Sequence, residues 1–261
     1  MAEHELPKLD TRVRFPSPAP ILKSLYRLYL FVINIAKTTY IILLGVFMKI
    51  FIYGDSNTWG QMPDVNGYNS NAIPLKYPQR FIWWNKLVQD NEVFVNGLCG
   101  RAINNNHPTL EGRNATQTIS KDIEKHTDSD LVILQLGTND CKTIYNNSAE
   151  KITQNLDNLT NIIQSKTDAQ IMILSPAQIR MGNAITNKYY IDADQKCQQL
   201  DTLFKDLADK KDYIFVSCLK AKVDDDGEHL AGCGHKFVAK HVIEAIDSLQ
   251  NEQQNGLCLK R

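Results

Sequence analysis

Net charge is the first thing this sequence lacks. Its 29 Lys and Arg residues are matched by 29 Asp and Glu, so no overall field draws the chain to nucleic acid or to an anionic membrane. Cysteines are few and scattered: Cys99, Cys141, Cys197, Cys218, Cys233 and Cys258, with no C-x-x-C pair. That spacing excludes a zinc ribbon and the dense disulfide framework of a small secreted domain. The cysteines read as free thiols of a reducing compartment, although their even number leaves one stray disulfide open. Long apolar runs are missing as well. Leu28–Ala36 and Thr38–Phe47 are interrupted by Lys37, and neither approaches the ~20 residues needed to span a bilayer. A lysine at the centre of a joined span costs about 2.5–3.5 kcal/mol. A signal peptide fits poorly too, because no small-residue cleavage site follows the apolar part.

What is present is ordinary globular material, 43% hydrophobic and 22% charged. The 261 residues suffice for one sizeable α/β domain with an appendage. Residues 1–47 differ in composition from the rest and are read as an N-terminal extension. The domain proper is placed at 48–250, followed by a flexible tail at 251–261. Met48-Lys49-Ile50-Phe51 opens directly into a strand, and Arg12-Val13-Arg14-Phe15 can be encoded by DNA resembling the T-arm of a transfer-RNA gene. Translation starting at Met48 is therefore favoured over a membrane anchor at residues 21–47, and the expected location is the cytoplasm. Membrane attachment or export would follow only from a genuine extension.

Five short runs are rich in Val, Ile, Leu and Phe: Lys49–Tyr53, Glu92–Val95, Leu131–Leu136, Gln170–Leu174 and Tyr213–Val216. Each is too short for a helix and reads as a buried strand. Between them lie segments of helical period. Tyr77, Phe81, Trp84 and Leu87 mark one apolar face, with Pro78 suited to the first turn. Ile152, Leu156, Leu159 and Ile163 mark another, with Asn147 and Glu150 spaced as a capping box. Cys197, Leu200, Phe204 and Leu207 form a third face, and Phe237, Val238, Val242, Ile246 and Leu249 the last. Asn114–Lys125 is a weakly patterned helix. Strand–helix alternation of this kind predicts a parallel sheet covered on both faces, with ligands at the carboxyl ends of its strands.

The reactive residue types fall after those strands. Gly54-Asp55-Ser56-Asn57-Thr58 follows the first, where a serine on a tight turn exposes its hydroxyl at the sheet edge. Gly100 follows the second, where backbone can approach a substrate oxygen closely. Gly137-Thr138-Asn139-Asp140 follows the third, where an asparagine amide can serve as an oxyanion donor. Asp226-Gly227-Glu228-His229 stands near the C-terminus, spaced so that one turn brings carboxylate and imidazole together. Each segment alone has a plainer explanation: a helix cap, a turn glycine, Asn-Asp turn chemistry, a solvated loop. Together they supply the nucleophile, base and orienter that acyl transfer requires.

In that order the four blocks resemble the GDSL or SGNH hydrolases over about Lys49–Leu249. The fuller strings from Tyr53 to Gly60 and from Gly97 to Arg101 are similar to the arylesterase-like branch, although Ala102 stands where that branch often has threonine. The resemblance implies a flavodoxin-like three-layer sandwich with a five-stranded parallel sheet of order 2-1-3-4-5. It implies Ser56 as nucleophile, His229 as base and Asp226 as its orienter. The oxyanion hole would comprise the backbone N–H groups of Ser56 and Gly100 and the Asn139 side chain. The α/β-hydrolase pattern fits less well: Gly-x-Ser-x-Gly is absent, and Asp226 and His229 lie three residues apart rather than after separate strands.

The implied activity is hydrolysis of small, acetyl-like esters through an acyl-enzyme. Thioesters or lysophospholipids on the same site, and a non-catalytic module holding a carbohydrate or acylated ligand, are the alternatives. Gln61–Gln79 and Ile179–Tyr190 are the expected pocket walls. His235 and His241 read as helix-surface residues. His4, His107 and His126 have no acidic or cysteine cluster at ligand spacing, so neither a metal nor an organic cofactor is expected. The expected partner is a small-molecule ester, with self-association left open.

Overall fold

The computed structural model describes residues 47–63 and 74–259. The chain divides into Met1–Val46 and Phe47–Arg261, and the account that follows concerns the second unit. The expectations for residues 1–46, and for most of the first pocket wall, lie outside the described residues.

Five parallel strands form one sheet: β1 (Lys49–Gly54), β2 (Glu92–Gly97), β3 (Leu131–Gln135), β4 (Gln170–Leu174) and β5 (Ile214–Val216). Their spatial order is β2-β1-β3-β4-β5, as expected. Strands buried on both faces lose the polar–apolar alternation of a half-exposed strand. That is why β1, β3 and β4 appear as unbroken apolar runs.

Alternate residues divide between two cores. Phe51 and Tyr53 of β1, Val132 and Leu134 of β3, and Ile171 and Ile173 of β4 join one cluster. It is completed by helices α2 (Ala115–Asp122), α3 (Ala149–Gln164) and α5 (Ala193–Lys211), through residues such as Ile119, Leu156 and Phe204. Ile50, Ile52, Ile133 and Met172 are buried on the opposite face. That side is covered by a 3-10 segment, Trp83–Gln89, and by α6 (Gly232–Leu259), which packs on it and on β5. Two short helices, α1 (Ser56–Trp59) and α4 (Ala184–Tyr189), complete the set.

Two expectations require correction. The segment around Tyr77–Leu87 is not an α-helix but two 3-10 stretches, Gln79–Phe81 and Trp83–Gln89, broken by an extended Ile82. Ile82, Trp83 and Trp84 are all buried whereas Phe81 is 46% exposed. Three consecutive side chains cannot share one face of a continuous α-helix, and the break lets all three point inward. The indole of Trp83 donates to Gln135 Oε1 at 2.9 Å and that of Trp84 to the Thr58 carbonyl at 2.8 Å. The cap of α3 is Ser148, which accepts from Lys151 N, rather than Asn147. The last helix, α6, runs to Leu259.

Register sets up the functional edge. Gly54 lies opposite Gly97 on one side and Gln135 on the other, so β1, β2 and β3 end level. The short helix α1 then crosses the end of β2. A Cβ built on Gly97 would stand 2.4 Å from Trp59 N and 2.7 Å from Trp59 Cα. Only glycine admits this approach, because the clashing atoms are backbone and cannot swing away. Gly97→Ala is expected to lower stability by about 1–3 kcal/mol, the range for overpacking a filled site. A urea-unfolding midpoint equal to wild type would show that α1 does not depend on this close seat.

Candidate active site

Ser56 opens α1 directly after β1. Asp55 caps the helix, its Oδ1 accepting from Asn57 N at 2.9 Å, and Asp55 N donates to the Gln135 carbonyl of β3 at 3.2 Å. Thr58 Oγ1 donates to Gln135 Oε1 at 2.7 Å, and Gly60 ends the helix in the left-handed region. The turn is therefore tied to its neighbours through backbone and side chains alike. Ser56 is only 5% exposed. As a first-turn residue, its N–H has no intrahelical acceptor and is free to face a ligand.

His229 lies against Ser56. Its Nε2 is 3.0 Å from Ser56 Oγ, and its Nδ1 is 2.6 Å from Asp226 Oδ2. A carboxylate only accepts, so Nδ1 carries the proton facing Asp226 and Nε2 offers its lone pair to the serine hydroxyl. Asp226 is fixed in turn, Oδ1 accepting from Glu228 N at 3.2 Å and His229 N at 3.0 Å. Both partners are buried, Asp226 at 2% and His229 at 1% exposure. Burial pulls the His229 pKa down, but the Asp226 hydrogen bond and the charges of Glu228, Asp226 and Asp55 outweigh it, and the pKa lies above 6.5. Burial likewise pushes Asp226 up, yet its hydrogen bonds and the His229 charge prevail and hold it below 3.8.

The other two expected groups arrive from the neighbouring strand ends. Gly100 has φ +79°, a conformation that side chains other than glycine strain to adopt. Asn139 begins a 3-10 turn, Asn139–Cys141, and its Nδ2 donates to the Arg101 carbonyl at 3.1 Å. That bond joins the Gly100 loop to the Asn139 turn and leaves the second amide hydrogen for another acceptor. Arg101, absent from the sequence expectations, is a central brace. Its guanidinium donates to the Gly54 carbonyl at 2.8 Å and to Asn96 O and Oδ1 at 2.6 and 2.8 Å, and lies 3.9 Å from the centroid of the Tyr53 ring. Asp140 accepts from Ile103 N and Asn105 Nδ2, pinning the far side of the same loop.

The Ile179–Tyr190 segment, expected as a pocket wall, is fastened to the Asp226–His229 loop. Arg180 N donates to the Gly227 carbonyl at 2.8 Å, Asn183 Nδ2 to the Asp225 carbonyl at 3.2 Å, and the Tyr190 hydroxyl to Glu228 Oε2. His235 corrects another expectation. It is not on the surface but 1% exposed, edge-on to Tyr77 at 5.4 Å. Burial first, and then the neighbouring His229 charge, push its pKa down to about 4, so it is a neutral core imidazole at ordinary pH. The signal for it was available in the helix pattern. His235 precedes the buried Val238 and Val242 by three and seven residues, which places it on their apolar stripe. His241 is half-buried, with Nδ1 2.9 Å from the Phe237 carbonyl. Cys99, Cys141, Cys197, Cys218 and Cys233 are free thiols.

Among the described residues, no group of three or more His, Cys, Asp or Glu side chains could hold a metal ion. No described helix is long and apolar enough to cross a membrane.

Several solved structures share this architecture. An aryl esterase from M. smegmatis superposes with a TM-score of 0.71 at 24% identity, over 77% of this chain and 99% of its own. A carbohydrate acetylesterase from Sinorhizobium meliloti gives 0.69 at 21% identity, over 77% and 99%. At these identities the likeness establishes the fold. No curated protein matches the sequence. Residues 52–237, which take in the turn after β1, both neighbouring loops and the Asp226–His229 loop, match the model of one family, and the chain belongs to it: the GDSL-like lipase/acylhydrolase family of serine ester hydrolases.

Proposed function

We propose that this protein is a serine esterase that cleaves small acyl esters, acetyl-like in size, with Ser56 as nucleophile, His229 as general base and Asp226 as orienter. One observation carries the reading: a buried imidazole bridges the Ser56 hydroxyl at 3.0 Å and the Asp226 carboxylate at 2.6 Å. His229 Nε2 takes the hydroxyl proton as Ser56 Oγ attacks the ester carbonyl. Asp226 keeps the other ring nitrogen protonated and stabilises the imidazolium that forms. The oxyanion is received by the N–H groups of Ser56 and Gly100 and the free amide hydrogen of Asn139. His229 then returns its proton to the leaving alcohol, and water repeats the cycle on the acyl-enzyme. The near-complete burial of Ser56 favours a short acyl group, and the esterases with the same fold act on aryl or acetylated carbohydrate esters by name.

A panel of p-nitrophenyl esters of rising chain length tests the substrate class, with acetate expected to be hydrolysed fastest. Ser56→Ala should fold and lose nearly all turnover; a folded variant with wild-type rates would remove the nucleophile assignment. Asn139→Ala should lower kcat by roughly 10²–10³ with little change in KM, as when one preorganised donor is removed. An effect confined to KM would make Asn139 a substrate-binding residue instead.

The sign of the pH dependence follows from the shift at His229. Attack needs the neutral imidazole, and the folded pKa lies above 6.5. The rate kcat/KM should therefore rise with pH through a midpoint above that of free imidazole and then level off. A midpoint at or below 6.5 on a chemistry-limited ester would contradict the Asp226–His229 pairing.

A further inference from the structure

We infer that Asn57 is a positioning residue that sets the distance between nucleophile and base. The inference rests on the Ser56–His229 reading above. Asn57 follows Ser56 in the first turn of α1 and is buried. Its side-chain amide crosses to the loop that carries the base. Nδ2 donates to the Glu228 carbonyl at 3.3 Å, and Leu230 N donates to Oδ1 at 2.8 Å. Those two backbone groups flank His229 on either side. One amide thus acts as a peptide unit paired across both neighbours of the imidazole, 171 and 173 residues away in sequence.

The contacts of the site separate into two kinds. Asp226 and His229 are joined within a single turn, since both the side-chain bond and the backbone bond to Asp226 Oδ1 lie inside the same loop. These local bonds fix the tautomer and the electrostatics of the imidazole. They place no limit on how far that loop stands from β1. Ser56, in contrast, is fixed to β1 and β3 through Asp55 and Thr58. The 3.0 Å approach of Nε2 to Ser56 Oγ therefore needs a rigid link between the two units, and Asn57 supplies it from the residue adjoining the nucleophile. The bond between the Tyr190 hydroxyl and the Glu228 carboxylate braces the loop from the α4 side. Without the amide, Leu230 N–H would lose its acceptor and the Glu228 carbonyl one of its donors. The loop would then be drawn away to satisfy them.

Asn57→Leu conserves approximate size and removes both bonds. Relative to wild type, kcat for p-nitrophenyl acetate should fall roughly 10- to 100-fold, the scale of a misplacement near 1 Å. KM should stay within about twofold, since ground-state binding is untouched. The midpoint of the pH–rate profile should not move, because Asp226 and Glu228 remain beside His229. The first-order rate of Ser56 labelling by a fluorophosphonate should fall with kcat, and that constant does not depend on how much of a preparation is folded. Asn57→Asp keeps an acceptor for Leu230 N–H and should fall between wild type and Asn57→Leu. Wild-type labelling and kcat in both variants, beside an inactive Ser56→Ala, would overturn the inference and leave the esterase reading standing. In Asn57→Leu, a change in KM alone, or a displaced pH midpoint, would also overturn it, by making Asn57 a substrate contact or a tuner of the base. An active Ser56→Ala would instead remove the esterase reading itself.

Discussion

Three parallel strands ending at one level govern this molecule. With Gly54 opposite both Gly97 and Gln135, the chain leaves β1, β2 and β3 at the same edge, and the next few residues of each have nowhere to go but across it. Ser56, Gly100 and Asn139 follow those positions by two, three and four residues. Each follows its strand end closely and Asn139 is tied to the Gly100 loop through the Arg101 carbonyl, so no long loop has to be ordered, which spares conformational entropy. The glycine on β2 lets α1 lie over the strand end. The glutamine on β3 takes the Thr58 hydroxyl and the Trp83 indole on one oxygen, so the second core reaches up to brace the turn. A one-residue slip in register would turn Gln135 to the opposite face and lose these bonds together.

That edge is also where the fold carries buried charge. Asp55, Arg101, Asp140, Asp226, Glu228 and His229 are all buried there, and at Asp55, Asp140, Asp226 and His229 burial competes with hydrogen bonds and neighbouring charges, with different outcomes. Asp140 receives two protein donors on Oδ1, and burial, as the larger influence, still pushes it up to about 6. Asp55 Oδ1 accepts from Asn57 N while its Oδ2 has no partner among the described residues, and burial pushes it up to about 7. A carboxyl with a raised folded pKa favours the native state below its ordinary value, and that stability is lost as pH rises through about 6 and about 7. His229, also raised, follows the same sign above 6.5. Asp226 runs the other way and loses its contribution as pH falls through its lowered value. On the proposed reading attack needs neutral His229, and hence the pH range in which these desolvated carboxyls are most costly to the fold. The proposed chemistry and these two carboxyls therefore favour different pH ranges.

Much of this was legible from the residues because apolar runs and motif spacing are local signals. Fully buried strands appear as Val/Ile/Leu runs whatever their neighbours do, and Gln170–Leu174 was found to the residue. Of the four short blocks, each just after a strand or in the last loop, the first and last bring Ser56, His229 and Asp226 into one hydrogen-bonded chain. The reading failed where tertiary hydrogen bonds override local pattern. Tyr77, Phe81, Trp84 and Leu87 have helical spacing, yet two consecutive indoles seek acceptors on Gln135 and Thr58, and the segment breaks at Ile82 to let both enter. Arg101, Gln135, Glu228 and Asn57 escaped notice because polar side chains resemble surface until their partners, often far away in sequence, are known. The cap of α3 moved by one residue to Ser148, while Asn147 donates instead to Asn105 Oδ1.

The polar residues that escaped notice are not incidental to the chemistry. An acid and a histidine three residues apart will find each other in almost any turn, so the local pair is easily formed and carries little information about function. The demanding requirement is that this pair stand within hydrogen-bond reach of one serine on a different element, in the absence of substrate. Loops settle such distances poorly unless their backbone groups are paired elsewhere. Here the Asp226–His229 loop is paired on both sides: Asn57 holds the backbone around His229 from α1, and Arg180, Asn183 and Tyr190 hold the opposite side from α4 and the segment before it. On the proposed reading, the preorganisation that makes an oxyanion hole and a general base effective is built from the amides of Asn57 and Asn183, the Arg101 guanidinium and the Tyr190 phenol, each hydrogen-bonded to the loops it holds. They hold the loops through buried hydrogen bonds that another arrangement would forfeit.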